Sequence, residues 1–221
     1  MNTTPFTFSI KTALREAWAL FKKHLGFFLG VALISVLLSV AGGGERTPIL
    51  ISVILTIASF LWGMIWIKIS LAAARGDEAK LSFGAIHALV PSVRQVLSYI
   101  GVAILTGLIV LCGLILLIIP GLYIMVRLSL ASMVYLDRKE GIRKSLRYSW
   151  DITKGYFGKI LLVGLVSIGL YLLGILALGI GLFVAYPLAA ILMAKFYLAL
   201  SAHYDATRAV IEQPVEIPAE L

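Results

Sequence analysis

Six stretches of this chain are long, apolar and almost free of charge: Gly26 to Val40, Pro48 to Ala73, Ser98 to Ile119, Gly121 to Leu136, Ile160 to Ala185 and Pro187 to Ala202. A helix of about 20 apolar residues crosses a hydrocarbon layer about 30 Å thick, and only helices or closed barrels satisfy their backbone there. These runs therefore predict an all-α integral membrane protein with six transmembrane helices. With 61% apolar residues, 14% charged residues and a mean hydropathy of +1.02, water does not solvate such a chain as a globular domain. The connections at Ile119-Pro120-Gly121 and Tyr186-Pro187 carry no charge and read as tight hairpins.

The net charge of +8 raises nucleic acid as a partner, and the placement of the basic residues excludes it. Basic residues cluster before the first span, from Arg75 to Arg94, and from Arg138 to Lys159, whereas only Arg46 sits on the opposite set of connections. Lysine and arginine gather on the cytoplasmic side of short loops, so both termini are expected to be cytoplasmic. About 25 largely polar, helix-patterned residues precede the first apolar run, which argues for an uncleaved span rather than a signal peptide.

Three helices with one apolar and one basic face are expected in the membrane interface. The first carries Ile10, Leu14, Ala17, Trp18, Phe21 and Leu25 against Lys11, Arg15, Lys22 and Lys23. The second carries Ile86, Leu89, Val90, Val93 and Leu97, interrupted by Pro91. The third turns Ile142, Leu146, Trp150, Thr153 and Phe157 inward, with Arg143, Lys144, Arg147 and Lys154 outward. Leu14-Arg15, Trp18, Lys22 and Gly26 align at constant offset with Leu146-Arg147, Trp150, Lys154 and Gly158.

A matching pattern of basic, apolar, hydroxyl, Leu, Ala recurs at Lys68 to Ala72, Arg127 to Ala131 and Lys195 to Ala199, followed by Asp77, Asp137 and Asp205. The expectation is one transmembrane domain, residues 1–206, built of three helical-hairpin repeats (8–80, 81–139 and 140–206) in a pseudo-threefold bundle. Residues 207–221 read as a mobile acidic tail.

Lys68, Arg127 and Lys195 are the candidate functional residues. Each lies about 14 Å along its helix from the following aspartate. Three cations near the midplane would cost on the order of 8 to 10 kcal/mol unless they snorkel or face a polar interior. All 11 acidic residues lie outside the six runs, so compensation comes from backbone carbonyls, water, the interfacial helices or an external anion. Simple snorkelling to the headgroups and deprotonation of the two lysines are the bland alternatives; Arg127 has no access to the second.

An anion or lipid headgroup site would use these three, supported by Ser70, Ser129, Tyr197 and Tyr123. Lys22, Lys23, Arg143, Lys144, Arg147 and Lys154 would form a basic membrane surface. His24, His87 and His203 are scattered and Cys112 is alone, so no metal site and no cofactor are expected. No nucleophile with a base and no phosphate-binding loop is visible, so no enzymatic activity is expected.

Ile119-Pro120-Gly121, Tyr123, Arg127, Asp137, Ser145 to Trp150, Thr153-Lys154-Gly155 and Phe157 form a signature. It resembles the membrane domain of some glycerophosphodiester phosphodiesterases and related bacterial six-helix inner-membrane proteins. The likeness is clearest from Ile119 to Val163. It implies a bacterial inner-membrane location and a connection with lipid, without the activity of the soluble domain found in fused members. The expected function is non-enzymatic binding or movement of an anionic lipid or similar amphiphile, with membrane phospholipid as partner. A scaffold or assembly subunit recruiting a cytoplasmic or membrane protein, and a small-anion channel or transporter, are the alternatives.

Overall fold

A computed structural model describes residues 6–42, 48–177 and 179–212. Described segments form nine α-helices, α1 to α9, and no strand. They are α1 (Ile10–Lys23), α2 (Leu25–Gly42), α3 (Ile49–Arg75), α4 (Val93–Leu116), α5 (Ile118–Leu128), α6 (Ala131–Arg138), α7 (Ile142–Ile152), α8 (Phe157–Leu176) and α9 (Leu182–Glu212). Helices α3, α4, α8 and α9 are each long and apolar enough to cross a membrane. So is the broken pair α5–α6, and a sixth span results if α1 and α2, bent by 94° at His24, count as one. These are the spans of a multi-pass membrane protein. Large apolar side chains such as Ile115, Leu165 and Leu172 stand exposed on the outside of the bundle, where hydrocarbon is their solvent.

Helix α9 is the axis. Half of its apolar stretch is buried, against 11% for α4, which identifies α9 as central and α4 as peripheral. It packs on α8, α3, α1, α2 and α7. Leu192, Phe196, Tyr197 and Leu200 of α9 meet Leu71 of α3, Val126 of α5, Val134 of α6 and Ile160 of α8 in one core. A second core joins Phe21, Phe28 and Val31 to Ile69 and Ile191. A third gathers Met64, Val102, Leu128, Tyr135 and Leu146 around the α4–α6 contact.

Two hairpin positions differ from expectation. The α4–α5 break falls at Leu117, which is extended (φ −165°), and Pro120 lies inside the first turn of α5, where its missing N–H costs nothing. Gly113 and Gly121 face each other there so closely that a Cβ on Gly121 would stand 2.6 Å from the Leu114 backbone nitrogen. Helix α8 ends at Leu176 and α9 begins at Leu182, so the break precedes Tyr186-Pro187. Gly179 takes the left-handed conformation (φ +78°) that ends α8, so glycine sets the turn and Pro187 lies within α9.

Local departures follow the same logic. The expected second interfacial helix is a seven-residue 3-10 segment, Phe83–Leu89, because Pro91 blocks continuation into α4; Val93 and Leu97 are exposed rather than inward. On α7 the buried positions are Ser145, Leu146, Ser149 and Ile152, with Thr153 buried beyond, while Trp150 is partly exposed. The inward face is thus set by hydroxyls that find acceptors, not by the largest apolar side chain. Helix α9 continues to Glu212, so residues 207–212 are helical; the remainder of the expected tail, 213–221, lies outside the described residues.

Candidate functional site

The three intramembrane cations are not brought together. Lys68 Nζ donates to the Leu89 carbonyl (3.0 Å) and to Gln95 Oε1 (3.3 Å). Arg127 is buried: one terminal nitrogen donates to the Tyr123 hydroxyl (2.9 Å) and the other to the Trp150 carbonyl (2.5 Å). Its guanidinium carbon lies 4.3 Å from the centre of the Trp150 ring, a cation–π geometry. The Arg127 carbonyl in turn accepts from Ser149 Oγ (3.0 Å) and Thr153 Oγ1 (3.2 Å), which knits α5 to α7 in both directions. Lys195 pairs with Glu16 at 2.6 Å and lines a polar cavity between α1 and α9 that includes neither Lys68 nor Arg127.

The expected supporting residues have other work. Ser70 and Ser129 donate to carbonyls of their own helices, at Trp66 and Val126. The Tyr197 hydroxyl donates to Asp137 (2.9 Å), which also pairs with Arg75. Of the expected surface cations, Lys23 pairs with Glu78 (2.6 Å) and Lys22 lies 5.8 Å from the Trp18 ring centre. Arg143, Lys144, Arg147 and Lys154 are exposed.

Lys68 borders the feature most suited to an anion. The start of α4 is held by reciprocal bonds: Ser92 Oγ accepts from the Gln95 N–H (3.4 Å) and Gln95 Oε1 accepts from the Ser92 N–H (3.3 Å). The same Gln95 oxygen takes the Lys68 ammonium, and the Gln95 carbonyl accepts from the Tyr135 hydroxyl (3.3 Å). Opposite, α6 ends at Lys139 in the left-handed region (φ +53°), and Gly141 opens α7. Between these two turns lies a cavity of about 400 Å³, lined by Arg94, Gln95, Ser98, Tyr135, Lys139 and Glu140 among others. No ion-pair partner for Arg94, Lys139 or Lys68 occurs among the described residues.

Glu140 also lines a neighbouring cavity of about 540 Å³ with Lys144, Arg147, Tyr148, Asp151 and Arg208. The two cavities together present five cations against two carboxylates. Burial, helped by its hydrogen bond to Asp205, pushes the Tyr148 phenol well above its usual range, so it stays a neutral donor there. Arg138 pairs with Asp205 and packs against the Tyr148 ring, fixing that wall. Arg94, Gln95 and Lys139 escaped the sequence reading. The Ser92-x-x-Gln95 capping pattern was the available signal for the turn, and nothing local marked Lys139.

Compared with known protein families, curated proteins and solved structures, the chain returned no match.

Proposed function

We propose that this is a non-enzymatic bacterial inner-membrane protein that binds or moves an anionic lipid or similar amphiphile. The headgroup would sit in the cavity between the start of α4 and the α6–α7 turn. The observation that carries this reading is the pair of cations on the cavity wall, Arg94 and Lys139, with Lys68 behind Gln95, where Glu140 is the one carboxylate among the described lining residues. Lys68 is held by neutral oxygens, with no carboxylate paired to it among the described residues. A phosphate headgroup supplies the missing negative charge, and the exposed apolar flanks of α4 at Val93 and Leu97 suit its chains. The resemblance from Ile119 to Val163 points towards lipid as well.

Arg127 and Lys195 take a different part in this proposal. Lys68 of the first copy reaches Leu89 in the second, Arg127 of the second reaches Trp150 in the third, and Lys195 of the third reaches Glu16 in the first. This cyclic order supports three repeats in a pseudo-threefold bundle, each return span latching the interfacial segment of the next copy. Arg75–Asp137 and Arg138–Asp205 follow the same order. The basic end, with both termini, would face the cytoplasm.

The test is lipid co-purified with the full chain in mild detergent, measured by native mass spectrometry. Arg94→Gln with Lys139→Gly removes two charges, and glycine accepts the left-handed backbone at 139. At about 1 kcal/mol per surface cation, retention of phosphatidylglycerol over phosphatidylethanolamine should fall about 30-fold at low salt. Unchanged selectivity overturns the proposal. A scaffold role is the second reading, favoured by the exposure of Arg143, Lys144 and Arg147 on one helix. It predicts loss of a crosslinked partner on charge reversal of those three, with lipid selectivity intact.

A further inference from the structure

At the opposite end of the bundle lies an uncharged cavity. Tyr186 precedes Tyr204, which lines the basic cavity, by 18 residues of continuous helix, or about 27 Å. The cavity, about 270 Å³, lies between α2, α8 and the start of α9, against Ala32, Ser35, Val36, Ser39, Tyr171 and Phe183. Val36 and Val40 at its rim are exposed on the outside of the bundle, so it opens sideways to whatever surrounds the spans. For spans in a membrane, that medium is lipid.

The walls are fixed by hydrogen bonds and stacking. Trp62 Nε1 donates to Ser35 Oγ (2.7 Å), Ser35 Oγ donates to the Val31 carbonyl (2.9 Å), and Ser39 Oγ donates to the Ser35 carbonyl (2.9 Å). Tyr186 stacks on Trp66 with ring centres 4.6 Å apart. The Tyr186 hydroxyl lies within hydrogen-bonding reach of Ser35, which leaves one polar group over among the described wall residues. The Tyr171 hydroxyl has no hydrogen-bond partner among the described residues, although its side chain is largely covered. A phenol in an apolar surround without an acceptor is unfavourable, so the site favours an occupant carrying an acceptor at that level.

The depth identifies the acceptor. Tyr171 lies 14 residues, about 21 Å, along α8 from Phe157 and close to the α8 end at Leu176, where the hydrocarbon gives way to the ester groups of a bilayer. We infer that this cavity binds one acyl chain of a diacyl glycerolipid from the leaflet remote from the basic cavities. The chain lies along Ala32, Val36 and Phe183, and its ester carbonyl accepts from Tyr171. No charged side chain lines the cavity, so recognition rests on the ester and the chain rather than on the headgroup. The inference is independent of the anionic site.

The experiment presents the detergent-solubilised full chain with equal amounts of ester-linked and ether-linked phosphatidylcholine of identical chains. Retained lipid is counted by native mass spectrometry. The ether lipid lacks the carbonyl, so the parent should retain the ester form about fivefold better, the value of one net hydrogen bond. Tyr171→Phe, which removes only the unpartnered hydroxyl, should bring the ratio to one. Val36→Phe, at the exposed rim, should lower retention of both. Equal retention of the two lipids by the parent, an ester preference that survives Tyr171→Phe, or undiminished binding in Val36→Phe each overturns the inference.

Discussion

Arg127 offers the sharpest test of whether an intramembrane cation serves a ligand or the fold. Replacing it with methionine removes two charge-assisted hydrogen bonds, to Tyr123 and Trp150, worth about 1.5 to 3 kcal/mol each. It also removes the cation–π contact with Trp150, worth about 0.5 to 2 kcal/mol. Against this, taking a cation out of the apolar interior returns about 2.5 to 3.5 kcal/mol. Relief is favoured further by the Arg127 Nε, which is buried without a partner among the described residues. Leaving that Nε unpaired costs the parent about 1 to 2 kcal/mol more, and methionine keeps the apolar stem, so at the midpoints of these opposing effects Arg127→Met should cost only about 1 to 2 kcal/mol. Arg127→Ala loses in addition about three methylenes of packing at about 0.8 kcal/mol each, for a total of about 3 to 4 kcal/mol.

Thermal unfolding of the full chain in mild detergent, followed by circular dichroism, separates the two variants. At about 3 °C per kcal/mol for a chain of this size, Arg127→Met should lower Tm by about 3 to 6 °C and Arg127→Ala by about 9 to 12 °C. Anionic lipid selectivity should be unchanged in Arg127→Met, because the guanidinium is spent inside the protein. Equal destabilisation by the two variants would refute the packing argument, and loss of lipid selectivity in Arg127→Met would refute the latch.

The α4–α5 hairpin and the Lys23–Glu78 pair give two further expectations. Gly121→Ala forces a Cβ to 2.6 Å from the Leu114 nitrogen and should cost about 2 kcal/mol in thermal unfolding; Gly107→Ala, with open space around it, should be neutral or slightly stabilising. The hydrogen bond from Lys23 holds the Glu78 carboxyl below its usual range, so its contribution is present above that range and lost as pH falls through the lowered value. The Tm difference between the parent and Glu78→Gln should therefore shrink on acidification, and a difference constant from pH 6 to pH 3 would exclude this pair as its source.

The apolar runs were legible because a bilayer leaves few ways to satisfy a backbone, and length alone then identifies a span. The breaks were less legible. Proline reads as the punctuation at Pro120 and Pro187, yet proline is tolerated near a helix start, whereas Leu117 and Gly179 carry the actual change of direction. Helix faces were harder still. Amphipathic patterning assumes that exposed means polar, and around a membrane-spanning bundle exposed positions are often apolar. Trp150 therefore reads as core and is exposed, while Ser145 and Ser149 are buried beside the expected Leu146 and Thr153, because the Arg127 carbonyl accepts from the hydroxyls of Ser149 and Thr153. Lys68, Arg127 and Lys195 could be found from charge in an apolar run, but their partners could not. Leu89 and Trp150 act through carbonyls, which every residue possesses, and Glu16 lies 179 positions from Lys195.

On the three-copy reading, the differences among the copies carry as much information as their likeness. Arginine occupies the most enclosed of the three equivalent positions, where a lysine would be driven towards losing its proton by desolvation and a guanidinium is not. Lys195 stands where its partner is open, Glu16 being 56% exposed. The interfacial segments differ too: α1 and α7 are full α-helices, and the middle copy offers only the 3-10 segment Phe83–Leu89 before Pro91. That shortening leaves the start of α4 facing Lys139 and Glu140 across a cavity, with the Lys68 ammonium behind Gln95. The copy that departs furthest from the repeat is thus the one that frames the proposed headgroup cavity. Restoring a regular helix there, by replacing Pro91 and extending α4 backwards, should close the cavity and remove anionic lipid selectivity while leaving the latches at Arg127 and Lys195 intact.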